Sequence, residues 1–218
     1  MGLSLIKWEI HIVDRKEIHD RVLKATDKAQ LTSAYGEWAP DYDADVVDDG
    51  GYSGFKTVCD ELMTQRVPVT AKILDAGCGT GLAGQVLAEE GYTDVHGLDF
   101  SHDMLEEAAR KGVYQRYIQA DLTASLDLDD DEFDAIVCAG TFTSGHVGPE
   151  ALDEMIRVTR PGGLICFTVR DEAWENDNFA DYIRKLSDGD AWKVVTSFET
   201  EYLKRDESLC QVCVCQVA

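Results

Sequence analysis

Basic side chains are the scarce component of this sequence. Over 218 residues, 20 lysines and arginines stand against 42 aspartates and glutamates, a formal net charge of -22. Phosphate backbones are held by basic patches that release counterions, so this surface repels DNA and RNA and argues against a nucleic-acid partner. Long apolar runs are missing too: none reaches the roughly 18 residues of a membrane span. The first residues, MGLSLIKWEIHIVDRK, break their apolar stretch with charges, unlike a cleaved secretion signal. No internal repeat or low-complexity linker divides the chain, and its length suits one domain with a sizeable core. The seven cysteines are odd in number and lack framework spacing, which favours free thiols in a reducing, cytoplasmic setting. Cys210 and Cys213 have the spacing of half a zinc site, but LCQVCVCQV reads as a strand, where residues three apart face opposite ways. No metal site is expected there.

From about residue 73, strand and helix signals alternate. Lys72–Ile73–Leu74–Asp75 is a short apolar run ending at a glycine turn, and Leu82 to Glu90 has helical spacing stopped by Gly91. Val95 to Phe100 is a second strand, after which Ser101 is placed to cap a helix that Gly112 ends. Tyr114 to Ala120 and Phe133 to Ala139 are the third and fourth strands. A helix from Pro149 is halted at Pro161–Gly162–Gly163, before a fifth strand at Leu164 to Val169. Strands joined by helical crossovers imply an α/β, Rossmann-like, doubly wound sheet. After a helix near 178–186, Trp192 to Tyr202 and Leu209 to Val217 are strands with a connection too short for parallel pairing. Residues 1–60 read as a helical, acidic lead-in with an apolar start near Leu5 to Val13, and 61–218 as the main domain. The acidic run Asp127 to Glu132 reads as a solvated loop.

The turn ILDAGCGTGLAG at 73–84 has two parses. GTGLAG fits G-x-G-x-x-G, the dinucleotide pattern, and implies an oxidoreductase. DAGCGTG fits D-x-G-x-G-x-G, which suits S-adenosylmethionine (SAM). Asp99, 20 or so residues on, can bind ribose hydroxyls in either case. Position favours SAM: Gly79 lies five residues past Leu74, too late to bring a helix N-terminus against a pyrophosphate, and Gly77 takes the first turn. Asp75 can then fix an ammonium group. Asp121, just past the third strand, can accept from an adenine amine, and the Leu122 N–H can donate to the ring. Met104 and Phe100 offer surface for its faces. Singly, Met104 is equally a helix-core residue and Asp121 a turn residue; together they stand at successive strand ends.

The run from about Thr70 to Thr168 resembles the class I SAM-dependent methyltransferases. LDAGCGTG at 74–81, HGLDFS at 96–101, QADL at 119–122, FDAIVCAG at 133–140 and RPGG at 160–163 carry the resemblance. It implies a seven-stranded sheet with an antiparallel last strand and SAM as cofactor. It also implies that Gly77, Gly79, Thr80 and Gly81, with backbone near Ala139 and Gly140, meet the amino-acid end of the cofactor. YGEWAPDYD at 35–43 and GVYQRY at 112–117 are similar to segments of the methyltransferase-like proteins named after the Williams–Beuren chromosomal region. Gly36 departs from that pattern, which carries Asp. By this resemblance the lead-in is a lid, with Trp38 and Tyr42 over the cofactor; Trp38 is otherwise a core aromatic.

Methyl transfer from an activated sulfonium asks mainly for orientation and desolvation, with a base only where the acceptor must lose a proton. His146, in the loop after the fourth strand, is the candidate base or substrate contact; its other reading is a plain loop histidine. His96, inside a strand, reads as structural. Arg170 and Asp171 either meet a polar acceptor or form a surface pair. A small-molecule acceptor is favoured by the charge. The other class of reading is a SAM-binding partner or regulatory protein without turnover, whose acidic surface suits a basic protein.

Overall fold

The computed structural model describes residues 15–25 and 27–218. The apolar start expected near Leu5 to Val13 lies outside them. Helices α1 (Arg15–Lys24) and α2 (Lys28–Trp38) are followed by a π-helical turn at Ala44–Asp49 and by α3 (Gly54–Thr64). Asp27 caps α2 by accepting from the Gln30 N–H at 2.9 Å, satisfying one of the donors a helix start leaves open. The α3 helix runs across residue 60, and its Val58 and Leu62 are fully buried.

The strands are β1 (Lys72–Ala76), β2 (Asp94–Asp99), β3 (Arg116–Gln119), β4 (Phe133–Phe142), β5 (Thr159–Arg170), β6 (Trp192–Leu203) and β7 (Ser208–Val217). They form one sheet in the order β3-β2-β1-β4-β5-β7-β6, with β7 antiparallel to both neighbours. The expected seven-stranded, doubly wound architecture is thus present. Helices α4 (Leu82–Glu89), α5 (His102–Lys111) and α6 (Ala151–Val158) provide the crossovers, and α7 (Asp171–Asn176) and α8 (Phe179–Asp188) follow β5. Ser101 caps α5 through the Met104 N–H, and Gly112 ends it in the left-handed region at φ 66°.

Two apolar layers flank the sheet. One joins Val58, Leu87 and Leu105 to Ile73, Cys166 and Val212; the other joins Leu152, Met155 and Phe179 to Leu74, Phe167 and Cys213. Cys210 packs in the first layer and Cys213 in the second, so the period-2 geometry of β7 separates the pair. All seven cysteines are buried free thiols. Along the edge strand β6, burial alternates residue by residue and puts Lys193, Glu199 and Glu201 outward, charges that discourage pairing with another chain.

Several boundaries differ from expectation. The chain after α6 does not stop at Pro161: β5 already starts at Thr159, which pairs with Phe133 before a bulge at 160–163 restores register at Leu164. The α7 helix begins immediately after Arg170, a start without glycine or proline to mark it. The acidic run at 127–132 is more than a solvated loop. Arg157 donates to the Leu126 and Leu128 carbonyls at 3.0 and 2.9 Å and to Asp130 at 2.7 Å, while Glu132 takes the Lys72 ammonium at 2.8 Å. Among the described residues no helix is long and apolar enough to cross a membrane.

Candidate active site

Parallel strands present their C-terminal ends to a crevice where the strand order reverses, and ligands of open α/β sheets bind there. Here β1 and β4 are the central neighbours, and a cavity opens above their ends. Asp75, Asp99 and Asp121, from the tips of β1, β2 and β3, all line it. So do Gly77, Gly79, Thr80, Phe100, Met104, Leu122, Ala139, Gly140 and, from the lead-in, Tyr42; His146 reaches it from the loop after β4.

Two of the expected contact residues are not in the cavity lining. Gly81 does not face the cavity; it begins α4 at φ 89° and packs against Ala108 and Tyr114. Trp38 lies behind Tyr35 and Tyr42 rather than over the cavity. Its indole N–H donates to Asp45 at 2.9 Å and its ring lies 4.8 Å from that of Tyr42.

The glycine turn spends its own N–H groups. Gly77 and Cys78 donate to the Leu98 carbonyl at 2.8 and 2.9 Å, and Gly79 donates to Asp99 at 2.8 Å. Little is left to cradle a pyrophosphate. Gly84, which completed the dinucleotide parse, has another purpose. A Cβ there would lie 2.3 Å from the Tyr114 ring, and one at Gly97 would lie 2.7 Å from it. These glycines leave the slot through which Tyr114 reaches Asp75 and donates its hydroxyl.

Asp75 is 1% exposed. Burial pushes its carboxyl up to about 7, although the Tyr114 hydroxyl and the Gly84 N–H stabilise the charged form. Asp99 is also raised by burial, against donors from Ser101, Gly79 and Phe100; it opens to the cavity but lies deep beneath the outer surface. Asp121 moves the other way. Burial opposes its charge, but Lys28 and Thr123 outweigh it and hold the carboxyl below its usual value.

Lys28 carries no sequence signal of function, yet it spans 93 positions to Asp121 and also donates to the Thr123 hydroxyl at 2.7 Å. Asp43 makes a second tie between lead-in and sheet: it accepts from the Thr80 hydroxyl and from Lys111, the latter at 2.5 Å. Gly36, the departure from the family pattern, sits where α2 passes α5. A Cβ there would come 2.2 Å from Asp103 Oδ2, so an aspartate would displace that side chain and set two like charges together. His96 is inside β2 with Nε2 2.8 Å from Asp94, away from the cavity. The Nδ1 of His146 lies 3.1 Å from the Ser144 carbonyl. Donating there, the neutral ring presents Nε2 as a lone pair.

A family profile described as a methyltransferase domain matches residues 73–163. The chain is 39% identical over 161 residues to human methyltransferase-like protein 27, covering 71% of this chain and 64% of that protein. Residues 73–163 thus match the methyltransferase-domain family, and the chain has the class I SAM-dependent methyltransferase fold. It is 31% identical over 144 residues to a malonyl-[acyl-carrier protein] O-methyltransferase of Enterobacter lignolyticus, covering 65% of this chain and 54% of that enzyme. The chain therefore spans between half and two thirds of the length of these curated relatives. The solved TehB-like SAM-dependent methyltransferase from Corynebacterium glutamicum shares its fold, with a TM-score of 0.64 and 23% identity over 85% of this chain and all of that one. S-adenosylmethionine is the cofactor of the family.

Proposed function

We propose that this chain transfers the methyl group of SAM to a small organic acceptor. The observation that carries the reading is the charge of the cavity: among the described residues, three carboxyl groups, Asp75, Asp99 and Asp121, stand against one ammonium, Lys28. Such a wall disfavours the pyrophosphate of a dinucleotide and suits the sulfonium and α-ammonium of SAM. The residues fit the group in detail. Asp99 would meet ribose hydroxyls, Asp121 and the Leu122 N–H the adenine edge, and Met104 and Phe100 its faces. Gly77, Gly79, Thr80, Ala139 and Gly140 would approach the amino-acid end, with Asp75 beneath it and Tyr42 closing the lead-in side.

Bound SAM supplies an already activated methyl group, so the chain's task is to align the acceptor and exclude water. The lone pair of His146 Nε2 takes the proton of an acceptor hydroxyl or amine. A relative named for malonyl-[acyl-carrier protein] acts on an organic group, which favours the same broad class here.

Calorimetric titration with SAM, S-adenosylhomocysteine and NAD tests the cofactor. The sulfur compounds should bind and NAD should not, and Asp99→Asn should weaken binding about tenfold or more, as expected for a lost charged hydrogen bond. Binding of NAD alone would refute the reading. In acceptor assays, His146→Ala should cost about 10²-fold or more in turnover while leaving S-adenosylhomocysteine affinity unchanged; undiminished turnover would remove His146 as the base.

A further inference from the structure

Next to the cofactor cavity lies a second chamber. The rings of Tyr35, Tyr42 and Tyr52 stand between the two, and Trp38 and Tyr202 form its far walls. Its charge runs against that of the molecule. In a chain with twice as many acids as bases, this chamber is lined, among the described residues, by Arg170 and Arg205 and by a single carboxylate, Glu172.

Arg205 turns to Asp206, 3.2 Å away. Arg170 is the inward cation. Its guanidinium lies 5.7 Å from the Tyr202 ring centre, and its Nε is buried without a hydrogen-bond partner among the described residues. Asp171 is 3.7 Å from that nitrogen, beyond hydrogen-bond reach. Both Asp171 oxygens are already engaged, by the backbone N–H of Glu172 at 2.8 Å and of Leu209 at 3.2 Å. Two more polar atoms of the same chamber, the Tyr52 hydroxyl and His146 Nε2, are buried and unpartnered among the described residues. Such atoms are costly to the fold when nothing meets them. Three in one chamber mark a place built for a polar guest. A guanidinium fork beside a hydroxyl donor matches the planar, two-oxygen face of a carboxylate.

We infer that this chamber receives the methyl acceptor and that the acceptor is a small carboxylic acid, its carboxylate held by Arg170 and the Tyr52 hydroxyl and its body packed among the tyrosine and tryptophan rings. The inference rests on the methyltransferase reading above, and its test separates the two.

The full chain is first titrated with S-adenosylhomocysteine, then, saturated with it, with 4-hydroxybenzoate, 4-hydroxyphenylacetate and 3-hydroxybutyrate and with the amide of each acid. At least one acid should bind about tenfold or more tightly than its amide, the scale of a charge-assisted pair. Arg170→Gln should abolish that preference, and Tyr52→Phe, which keeps the ring, should reduce it. Retained affinity for S-adenosylhomocysteine in both variants shows that they are folded. Equal binding of acids and amides, no binding of any acid, or a preference that survives Arg170→Gln overturns the inference. Failure of the wild-type chain to bind S-adenosylhomocysteine overturns the cofactor reading instead.

Discussion

Replacing Asp75 by asparagine should make the protein more stable at alkaline pH and progressively less so, relative to wild type, as the pH falls. The carboxyl is raised from 3.8 to about 7 because it is buried. Its stability contribution is therefore complete below the unfolded value and is lost as pH rises through the folded one. The whole difference is worth about 4 kcal/mol against the folded state once the group is ionised. Between pH 5.5 and 8.5, where the unfolded chain is already deprotonated, the loss amounts to about 2 kcal/mol. Asparagine carries no such titration. Its carbonyl can still accept from Tyr114, but its NH₂ faces the Gly84 N–H that now serves the carboxylate, at a cost of about 1–3 kcal/mol. Urea unfolding of both proteins without ligand, at half-unit steps from pH 5.5 to 8.5, gives the difference directly. It should slope by about 2 kcal/mol in favour of the variant as pH rises. A difference that stays flat across the range would refute a buried, raised carboxyl at this strand end. Tyr114→Phe provides the reverse control: with the donor gone, the wild-type decline should move to higher pH.

Other substitutions test the surroundings. Gly77→Ala places a Cβ 2.1 Å from Thr141 Oγ1 at φ 73°, whereas Gly79→Ala meets nothing within 4 Å at φ 51°. The first should cost about 3 kcal/mol or more and the second about 1 kcal/mol in urea unfolding, and equal costs would contradict the packing. Trp38→Phe keeps the ring stack but removes the donor to Asp45, so a loss of about 1–3 kcal/mol is expected; an unchanged urea midpoint would count against it. Lys28→Met breaks a partly exposed ion pair worth less than about 1 kcal/mol, so the melting temperature should hardly move. Release of S-adenosylhomocysteine, followed by stopped-flow fluorescence, should instead quicken several-fold; an unaltered release rate would mean that Lys28 does not tie the lead-in over the cavity.

What was legible beforehand was legible because it is local. Each strand, its terminal carboxylate and the turn that follows lie within a few consecutive residues. Asp75, Asp99 and Asp121 could therefore be assigned to strand ends, and the topology of parallel strands then brought them together. The two-residue period of β7 likewise separated Cys210 from Cys213 in advance. By itself the sequence thus determined the sheet, its direction changes and the carboxylate-lined end of the crevice. Only the tertiary structure decided what surrounds it. Tyr114 meets Asp75 across 39 positions, Thr80 meets Asp43 across 37 and Lys28 meets Asp121 across 93, and no local pattern encodes such meetings. The purpose of Gly84 shows the difference most plainly. In the sequence it completes a dinucleotide pattern; in the fold it is the space a tyrosine ring occupies. The arginine chamber was hidden for the same reason, since Tyr52, His146 and Arg170 come from three separate segments and acquire their common surroundings only when the lead-in packs over the sheet.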